Sequence, residues 1–255
     1  MTQEDSNMSY DPLRSILTKF GYSAISAGIK LPDPLLGLAN DFLHRISLRD
    51  LLKQLKINCV IDVGAHVGSF SKMLRRIRYK GHIVCFEPNR DNFLVLSNAF
   101  KRDRSWKGFN VALGSENTKK TFNFTQFSNL GSFLKPKNEI LAHTAELEVR
   151  RLDSMFVNIL DRVESPRVFL KLDTQGYDLE VVKGACGCMR HILGLQSEIS
   201  VQPLYDDMPH YLEALAFYES LGLNLINLFV VSRGKSCGNV VEYDCLMARF
   251  DSLTP

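Results

Sequence analysis

Asp62, Gly64 and Gly68 stand in the run VIDVGAHVG (60–68), with Cys59 ahead of it and an amphipathic stretch from Phe70 to Ile77 behind it. That order predicts strand, tight turn, helix. Small residues in such a turn let backbone N–H groups and a helix N-terminus come close to a ligand. The spacing is Asp-x-Gly-x-x-x-Gly, not the Gly-x-Gly-x-x-Gly of a dinucleotide loop. A pyrophosphate prefers bare N–H groups. A carboxylate just before the first glycine suits an amino-acid ammonium instead, as in S-adenosylmethionine. Asp62, Gly64, Ala65, His66 and Gly68 are therefore the expected cofactor loop, and a phosphate-binding or purely structural turn is the alternative.

Glu87 supports the first reading. It ends a second apolar run, HIVCFE (82–87), about 20 residues beyond Gly68, where Rossmann-type folds place the acid that binds ribose hydroxyls. Pro88 and Asn89 follow it, and Asn110 and Ala112 lie in the next strand-like run, WKGFNVALG (106–114), so these four join the expected cofactor set. Asp173 ends the run VFLKLD (168–173), and Glu198 lies in LQSEIS (195–200). Open α/β sheets bind ligands at the carboxyl ends of their strands, where strand order reverses. Asp62, Glu87, Asn110, Asp173 and Glu198 all fall at or near such ends.

These residues need a scaffold of alternating strands and helices. Residues 11–55 read as helix in pieces: Leu13, Ile16, Leu17 and Phe20 recur at helical spacing, Gly21 interrupts, and the pattern resumes from Leu35 to Leu55. We read residues 1–49 as an N-terminal helical appendage and 50–255 as the main domain. Within it, Asp91–Lys101 reads as a helix. Residues 115–155 break the βα rhythm: Lys120–Phe127 alternates with period two, Ser128–Ser132 is loop, and Leu147–Leu152 reads as strand. That inserted region is a natural place for acceptor recognition. The rhythm returns with Val168–Asp173, a helix over 176–184, a strand over 194–200 and a helix over 211–221. Leu223–Val231 and Val240–Arg249, joined only by a short loop through Ser232–Ser236, predict a closing antiparallel hairpin. The sum is an α/β fold of the class I methyltransferase type, a Rossmann-like sheet with an antiparallel hairpin.

Bulk properties agree with a globular enzyme. The 255 residues are 45% hydrophobic and 23% charged, with net charge +3. That charge is too mild to point to nucleic acid. The cluster Lys72, Arg75, Arg76, Arg78 and Lys80 reads as the solvated face of a helix. No apolar run reaches the length of a membrane span, and the start, MTQEDSNMSY, lacks the features of a secretory signal. Of six cysteines, Cys59, Cys85 and Cys245 lie in apolar strands as small hydrophobes, and Cys186-Gly187-Cys188 lacks zinc-knuckle spacing. A cytoplasmic protein with reduced thiols is expected.

The motifs, taken together, resemble the FkbM-type methyltransferases. VIDVGAHVGSFS, VCFEPN, FNVALG, VRRLDSM, FLKLDTQGYDLEVVKGA, LQSEISVQPLYDD and EYDCLMAR follow one another from about Leu51 to Arg249 in this order. The most distinctive block is Leu170–Ala185. Many members carry a glutamate-rich version near its middle, where this chain has Gln175 and Asp178. His66 stands where the family often has asparagine. The resemblance implies methyl transfer from S-adenosylmethionine to oxygen, usually a hydroxyl of a sugar or polyketide. It does not fix the acceptor, which we expect to be a small molecule or glycan.

An alcohol is a poor nucleophile until its proton is leaving, so a base or a metal is expected. Asp173 is the first candidate for either, with cofactor orientation or helix capping as the alternative. Glu198 is second, with a structural ion pair as the alternative, and Asp153 and Asp244 rank lower. His143, in the insertion, is another candidate base against a packing role. No His-Glu-x-x-His motif is present, and a divalent ion held by Asp173 and Glu198 stays open. Two other functions compete. A ribose 2′-O-methyltransferase of RNA would want lysines flanking the acidic strand ends. Lys171 and Lys183 exist, but Lys171 lies inside its strand. A non-catalytic cofactor-binding module would not need to keep Asp62, Gly64, Gly68 and Glu87 together.

Overall fold

The computed structural model describes residues 26–28, 33–161, 163–234 and 237–252. The helical expectation for residues 13–21 lies outside them, as do Lys235 and Ser236 of the hairpin loop. The chain divides into two compact units, 1–42 and 43–255. Helix α1 (Asp33–Gln54) runs through that division, and it also runs through residue 49. In the first unit its described residues include exposed Leu35, Leu36, Leu38 and Phe42.

The second unit holds a seven-stranded sheet in the order β3-β2-β1-β7-β8-β10-β9. Its strands are β1 (Cys59–Val63), β2 (His82–Phe86), β3 (Trp106–Phe109), β7 (Val168–Leu172), β8 (Ile192–Ser200), β9 (Asn224–Arg233) and β10 (Val240–Ala248). The first five are mutually parallel, while β10 runs antiparallel to both neighbours. Strand order reverses between β1 and β7. Helices α2 (Ser69–Arg76), α3 (Arg90–Phe100), α4 (Leu152–Ile159), α5 (Asp178–Lys183) and α6 (Tyr211–Ser220) accompany it.

Strand alternation sorts the core into two layers. Cys59, Ile61, Val63, Leu170 and Leu172 pack with α4, α5 and α6 residues such as Leu152, Val182 and Tyr218. Val60, Ile83, Cys85 and Phe169 pack on the other side with Leu48 and Leu52 of α1, Leu55 just past its end, Leu74 of α2 and Leu96 of α3. The period of two then places Asp62, Glu87, Lys171 and Asp173 on the second face, where its apolar part ends.

The inserted region is a second sheet, ordered β4-β6-β5, from β4 (Ala112–Leu113), β5 (Thr118–Thr125) and β6 (Leu141–Arg150). Strand β6 begins six residues before the expected strand at Leu147. Its first half, Leu141–Glu146, is mostly exposed and carries no apolar alternation to read. Helix α4 was also hidden from sequence, because only Leu152, Phe156 and Ile159 of its eight residues are buried.

Basic residues at the helix ends belong to the fold. Arg75 is no solvated cation: it binds Asp103 at 2.8 Å and the carbonyls of Tyr79 and Gly81. Lys56 and Arg78 adopt left-handed backbone just past α1 and α2. The amides after them bond back to Leu52 and Leu74, which closes each helix in a Schellman turn.

Candidate active site

The switch point between β1 and β7 is built around one buried lysine. Lys171 lies in register with Asp62 across the two strands. Its Nζ stands 3.0 Å from Asp173 Oδ2 and 3.6 Å from Asp62 Oδ1. Asp62 is wholly buried and Asp173 is 40% exposed, so the row runs from the interior to the cleft. Ser71, in the first turn of α2, donates to Asp62 Oδ2 at 3.0 Å. Among the described residues Asp62 Oδ1 has no hydrogen-bond partner.

The electrostatics follow from that row. Burial pulls the Lys171 ammonium down, but Asp173 and Asp62 outweigh it and hold it above its ordinary value. Burial raises the Asp62 carboxyl, against the pull of Lys171 and Ser71. Burial also acts upward on Asp173, yet the charge and hydrogen bond of Lys171, with a hydrogen bond from Gln175, bring it below the ordinary value. Two carboxylates share one ammonium, and Asp62 Oδ1 meets it only at 3.6 Å, beyond hydrogen-bond distance. The group is one positive charge short, which suits an added ammonium or sulfonium.

The loop after β1 is fixed from both sides. The amides of Gly64 and Ala65 donate to the Phe86 carbonyl, and the Asp173 amide donates to the Val63 carbonyl. Gly64 has φ +76°, and a Cβ there would run into the carbonyl oxygen of Asp173. Gly68 has φ +82° and faces Leu96 and Phe100 at a distance no side chain could occupy. His66, between them, also has positive φ (+47°), an uncommon state for a residue with a side chain.

Glu87 sits where that loop meets β2. Its Oε2 accepts from the His66 amide at 2.8 Å and its Oε1 from the Asn89 amide at 2.9 Å. Burial pushes its carboxyl up to about 7, against those two hydrogen bonds. Asn89 caps α3 by accepting from the Asp91 amide. Asn110 donates its side-chain N–H groups to the carbonyls of Glu87 and Pro88, so it shapes the loop. Ala112 is buried in β4 opposite Val149, a packing position.

A cavity of about 380 Å³ opens beside this loop, lined by Pro88, Asn89, Asn110 and Val111 and, from the second sheet, Phe124 and His143. The rings of Phe124 and His143 stack at 4.4 Å and 6°. The stacked pair makes a flat aromatic wall to the cavity, opposite Pro88 and Asn89. His143 therefore lies with the Glu87 side of the cleft. Nothing in the period-two pattern of β5 marks Phe124 as part of a cavity wall, since it reads as ordinary strand. Loop 126–132 lies close by: Ser128 meets His66 Nε2 at 2.9 Å, and its carbonyl accepts from Asn92.

Beyond Asp173 the polar face continues into acids. Glu198 lies in register with Asp244 on β10. Burial, then Asp173, Glu242, Asp244 and Asp178, raise the Glu198 carboxyl well above its ordinary value. His44 of α1 lies 3.9 Å from Asp244 and bonds Gln196. Gln175 joins the two candidate bases: its Nε2 is 3.0 Å from Asp173 Oδ1 and 3.3 Å from Glu198 Oε2. Asp153 stands apart, bound by Arg151 and the Gly187 amide. Among the described residues no set of three or more His, Cys, Asp or Glu side chains is arranged to hold a metal ion. The Gln175 nitrogen also occupies the place between Asp173 and Glu198 where a shared cation would sit.

The sheet order, the glycine-bearing loop at the switch point and the acid ending β2 define a Rossmann-like methyltransferase site. A sequence profile of the methyltransferase FkbM domain matches residues 62–225. The chain belongs to the FkbM methyltransferase family, and it is an S-adenosylmethionine-dependent methyltransferase. No curated protein matches it. Similar solved structures include magnesium protoporphyrin IX methyltransferase from Synechocystis PCC 6803 with bound S-adenosylmethionine, at TM-score 0.46 and 9% identity over 96% of this chain and 100% of that one. Fibrillarin from Aeropyrum pernix, also with S-adenosylmethionine, aligns at TM-score 0.44 and 10% identity over 75% of this chain and 66% of that one. No helix among the described residues is long and apolar enough to cross a membrane.

One expected result concerns Glu87. Glu87→Ala removes a charged acceptor and weakens S-adenosylhomocysteine binding, read by calorimetry, by about 1.5–3 kcal/mol. The wild-type affinity also rises as pH passes upward through about 7, because only the ionised carboxylate can accept from both ribose hydroxyls. A flat profile there would take Glu87 out of the ribose site.

Proposed function

We propose that this enzyme methylates a hydroxyl of an uncharged sugar, glycan or polyketide-type metabolite, with Glu198 as the proton acceptor and Asp173 as a fixed negative charge. S-adenosylmethionine supplies an electrophilic methyl on a sulfonium sulfur. Asp62, one cation short beside Lys171, and Glu87, at the loop's far side, are the residues that would hold its charged amino-acid end and its ribose. Asp173 reaches the cleft with both oxygens engaged, Oδ2 by Lys171 and Oδ1 by Gln175. A carboxylate so satisfied, and held below its ordinary value, is a weak base. Glu198 takes one hydrogen bond, on Oε2, and its acidic neighbours raise its proton affinity. That contrast carries the assignment. As the acceptor oxygen bonds to the methyl carbon and the carbon–sulfur bond breaks, the hydroxyl proton passes to Glu198.

The charge of the cleft favours an uncharged acceptor. Glu198, Glu242, Asp244 and Asp173 face one another, and Lys171 is already shared by two carboxylates. A polyanion is recognised mainly through its phosphates, and these acids repel phosphate. The ribose-methylating alternative therefore gains nothing from Lys171. An acceptor screen with methyl-labelled S-adenosylmethionine tests the reading. Label should appear as an acid-stable, base-stable ether on a hydroxylated glycan or metabolite. Label confined to RNA, or to carboxyl or amine products, would overturn it.

A further inference from the structure

Gln175 makes four connections that no other residue of the cleft combines. Its Nε2 donates toward Asp173 Oδ1 and Glu198 Oε2. Its Oε1 accepts from the Tyr205 hydroxyl at 2.8 Å. Its own carbonyl accepts from the Ser132 hydroxyl at 2.7 Å. Its backbone is left-handed, φ +53°, and Gly176 follows at φ +86°. A long side chain rarely takes that conformation, and such residues persist where surrounding bonds hold them.

The orientation of the amide is determined by its partners. Tyr205 is 2% exposed, and its hydroxyl also points at the Leu130 carbonyl. A carbonyl cannot donate, so the phenol's one hydrogen must point outward from Tyr205, to Leu130 or to Gln175 Oε1. The ionised carboxylate of Asp173 can only accept, so the amide N–H bonds face Asp173 and Glu198 and the amide oxygen is left for the phenol. With the opposite flip, an amide oxygen would stand against both acids.

Ser132 and Leu130 belong to the inserted region, and Tyr205 to the loop after β8. The same two segments are joined backbone to backbone: the Lys137 amide donates to Leu204, the Asp206 amide donates to Lys135, and Pro136 bridges Tyr205. The inserted region, the loop after β8 and the carboxylate pair thus meet in one side chain.

We infer that Gln175 is the positioning residue for Glu198: it holds the Glu198 carboxylate beside Asp173 by donating to both, and its own orientation is locked by Tyr205 and Ser132. This inference rests on the reading of Glu198 as proton acceptor. A neutral donor is the feature that matters. In Gln175→Glu a third carboxylate would face two others with no hydrogen between them, and the cluster must then take up a proton. Glu198 and its neighbours would titrate as a set, at higher pH than in the wild type.

The test uses the full-length enzyme and two kinds of measurement. The first needs no acceptor: carboxyl ¹³C NMR titration of Glu198, assigned through Glu198→Gln, in wild type, Gln175→Glu and Gln175→Ala. The second is the pH profile of kcat with whichever acceptor the screen finds. Gln175→Glu should move the Glu198 titration, and the midpoint of the kcat profile, upward by about one pH unit or more. S-adenosylhomocysteine affinity should stay at the wild-type value, while the thermal midpoint falls at neutral pH and recovers on acidification, because the added like charge is relieved by protonation. Gln175→Ala should lower kcat by about 100-fold through misplacement, and Tyr205→Phe, which keeps the ring and frees the amide to flip, should lower it by less. If either Gln175 variant fails to fold, Tyr205→Phe carries the test by the same two readouts. An unmoved Glu198 titration in Gln175→Glu overturns the inference whatever the acceptor proves to be. If the titration moves while no hydroxyl acceptor is methylated, the positioning stands and the proposed reaction falls.

Discussion

Glu198→Gln is expected to cut turnover by about 10²–10⁴-fold, the usual cost of losing a general base, while S-adenosylhomocysteine still binds as in the wild type. The substitution keeps the side chain's shape and a hydrogen-bonding oxygen for Gln175. It removes only the site for the proton. The pH dependence has a definite sign. Burial and the facing acids raise Glu198, so it is protonated over part of the range in which an ordinary glutamate is charged. A protonated base cannot accept, so wild-type kcat climbs with pH until Glu198 ionises, and this limb disappears from the residual activity of the variant. Asp173→Asn is the matched control. It should impair turnover and keep the rising limb, moved to lower pH because the Asp173 charge no longer raises Glu198. If Asp173→Asn removes that limb and Glu198→Gln keeps it, the two roles are reversed.

Lys171→Met is expected to destabilise the fold by about 3–5 kcal/mol, the cost of stripping a buried ion pair of one partner. Methionine keeps the length of the lysine stem but gives up the contact of the ammonium with the Phe70 ring, 5.3 Å from its centroid. The cost arises because Asp62 is fully buried and Ser71 becomes its single neutral donor. Urea unfolding monitored at several pH values provides the check. In the wild type Asp173 lies below its ordinary value, so its contribution is present above the unfolded carboxylate value and lost as pH falls through the folded one. In the variant the dominant group is Asp62, raised by burial. Its penalty is absent while it is protonated and grows as pH rises, so the variant regains stability on acidification. Adding Asp62→Asn should restore much of the loss. A loss confined to a few tenths of a kcal/mol at neutral pH would mean that water reaches Asp62.

Strands β1, β2 and β7 were legible because each is a mostly apolar run of five residues followed by or ending near a carboxylate. Asp62, Glu87 and Asp173 were visible for the same reason, and the hairpin of β9 and β10 because nothing helical separates them. The pairing of Asp62 with Lys171 was not. It depends on β1 and β7 being neighbours in one register, and more than 100 residues lie between them. Period two placed Lys171 on the face of Asp173, but a lysine inside a strand looked out of reach of the cleft. Its stem crosses that distance. Gln175 gave still less warning, since nothing local predicts left-handed backbone at a glutamine. Ser132, Tyr205 and Asp173 set it from three separate parts of the chain. The ranking of the two bases also lay beyond sequence, because it depends on which oxygens are already engaged.

The contact between Gly64 and the Asp173 carbonyl bears on where motion can reside. Val63, Gly64 and Ala65 are bonded to Asp173 on one side and Phe86 on the other, and no atom's width remains between the two crossing loops. Neither loop can swing without dragging a central strand, so the floor of the cleft behaves as one mechanical piece. Loop 126–132 touches the cofactor loop and the start of α3 through Ser128 alone in its described hydrogen bonds. A bulky nucleoside that must enter and leave once per cycle meets a stiff floor, and what can part beside it is the pair of bonds made by Ser128.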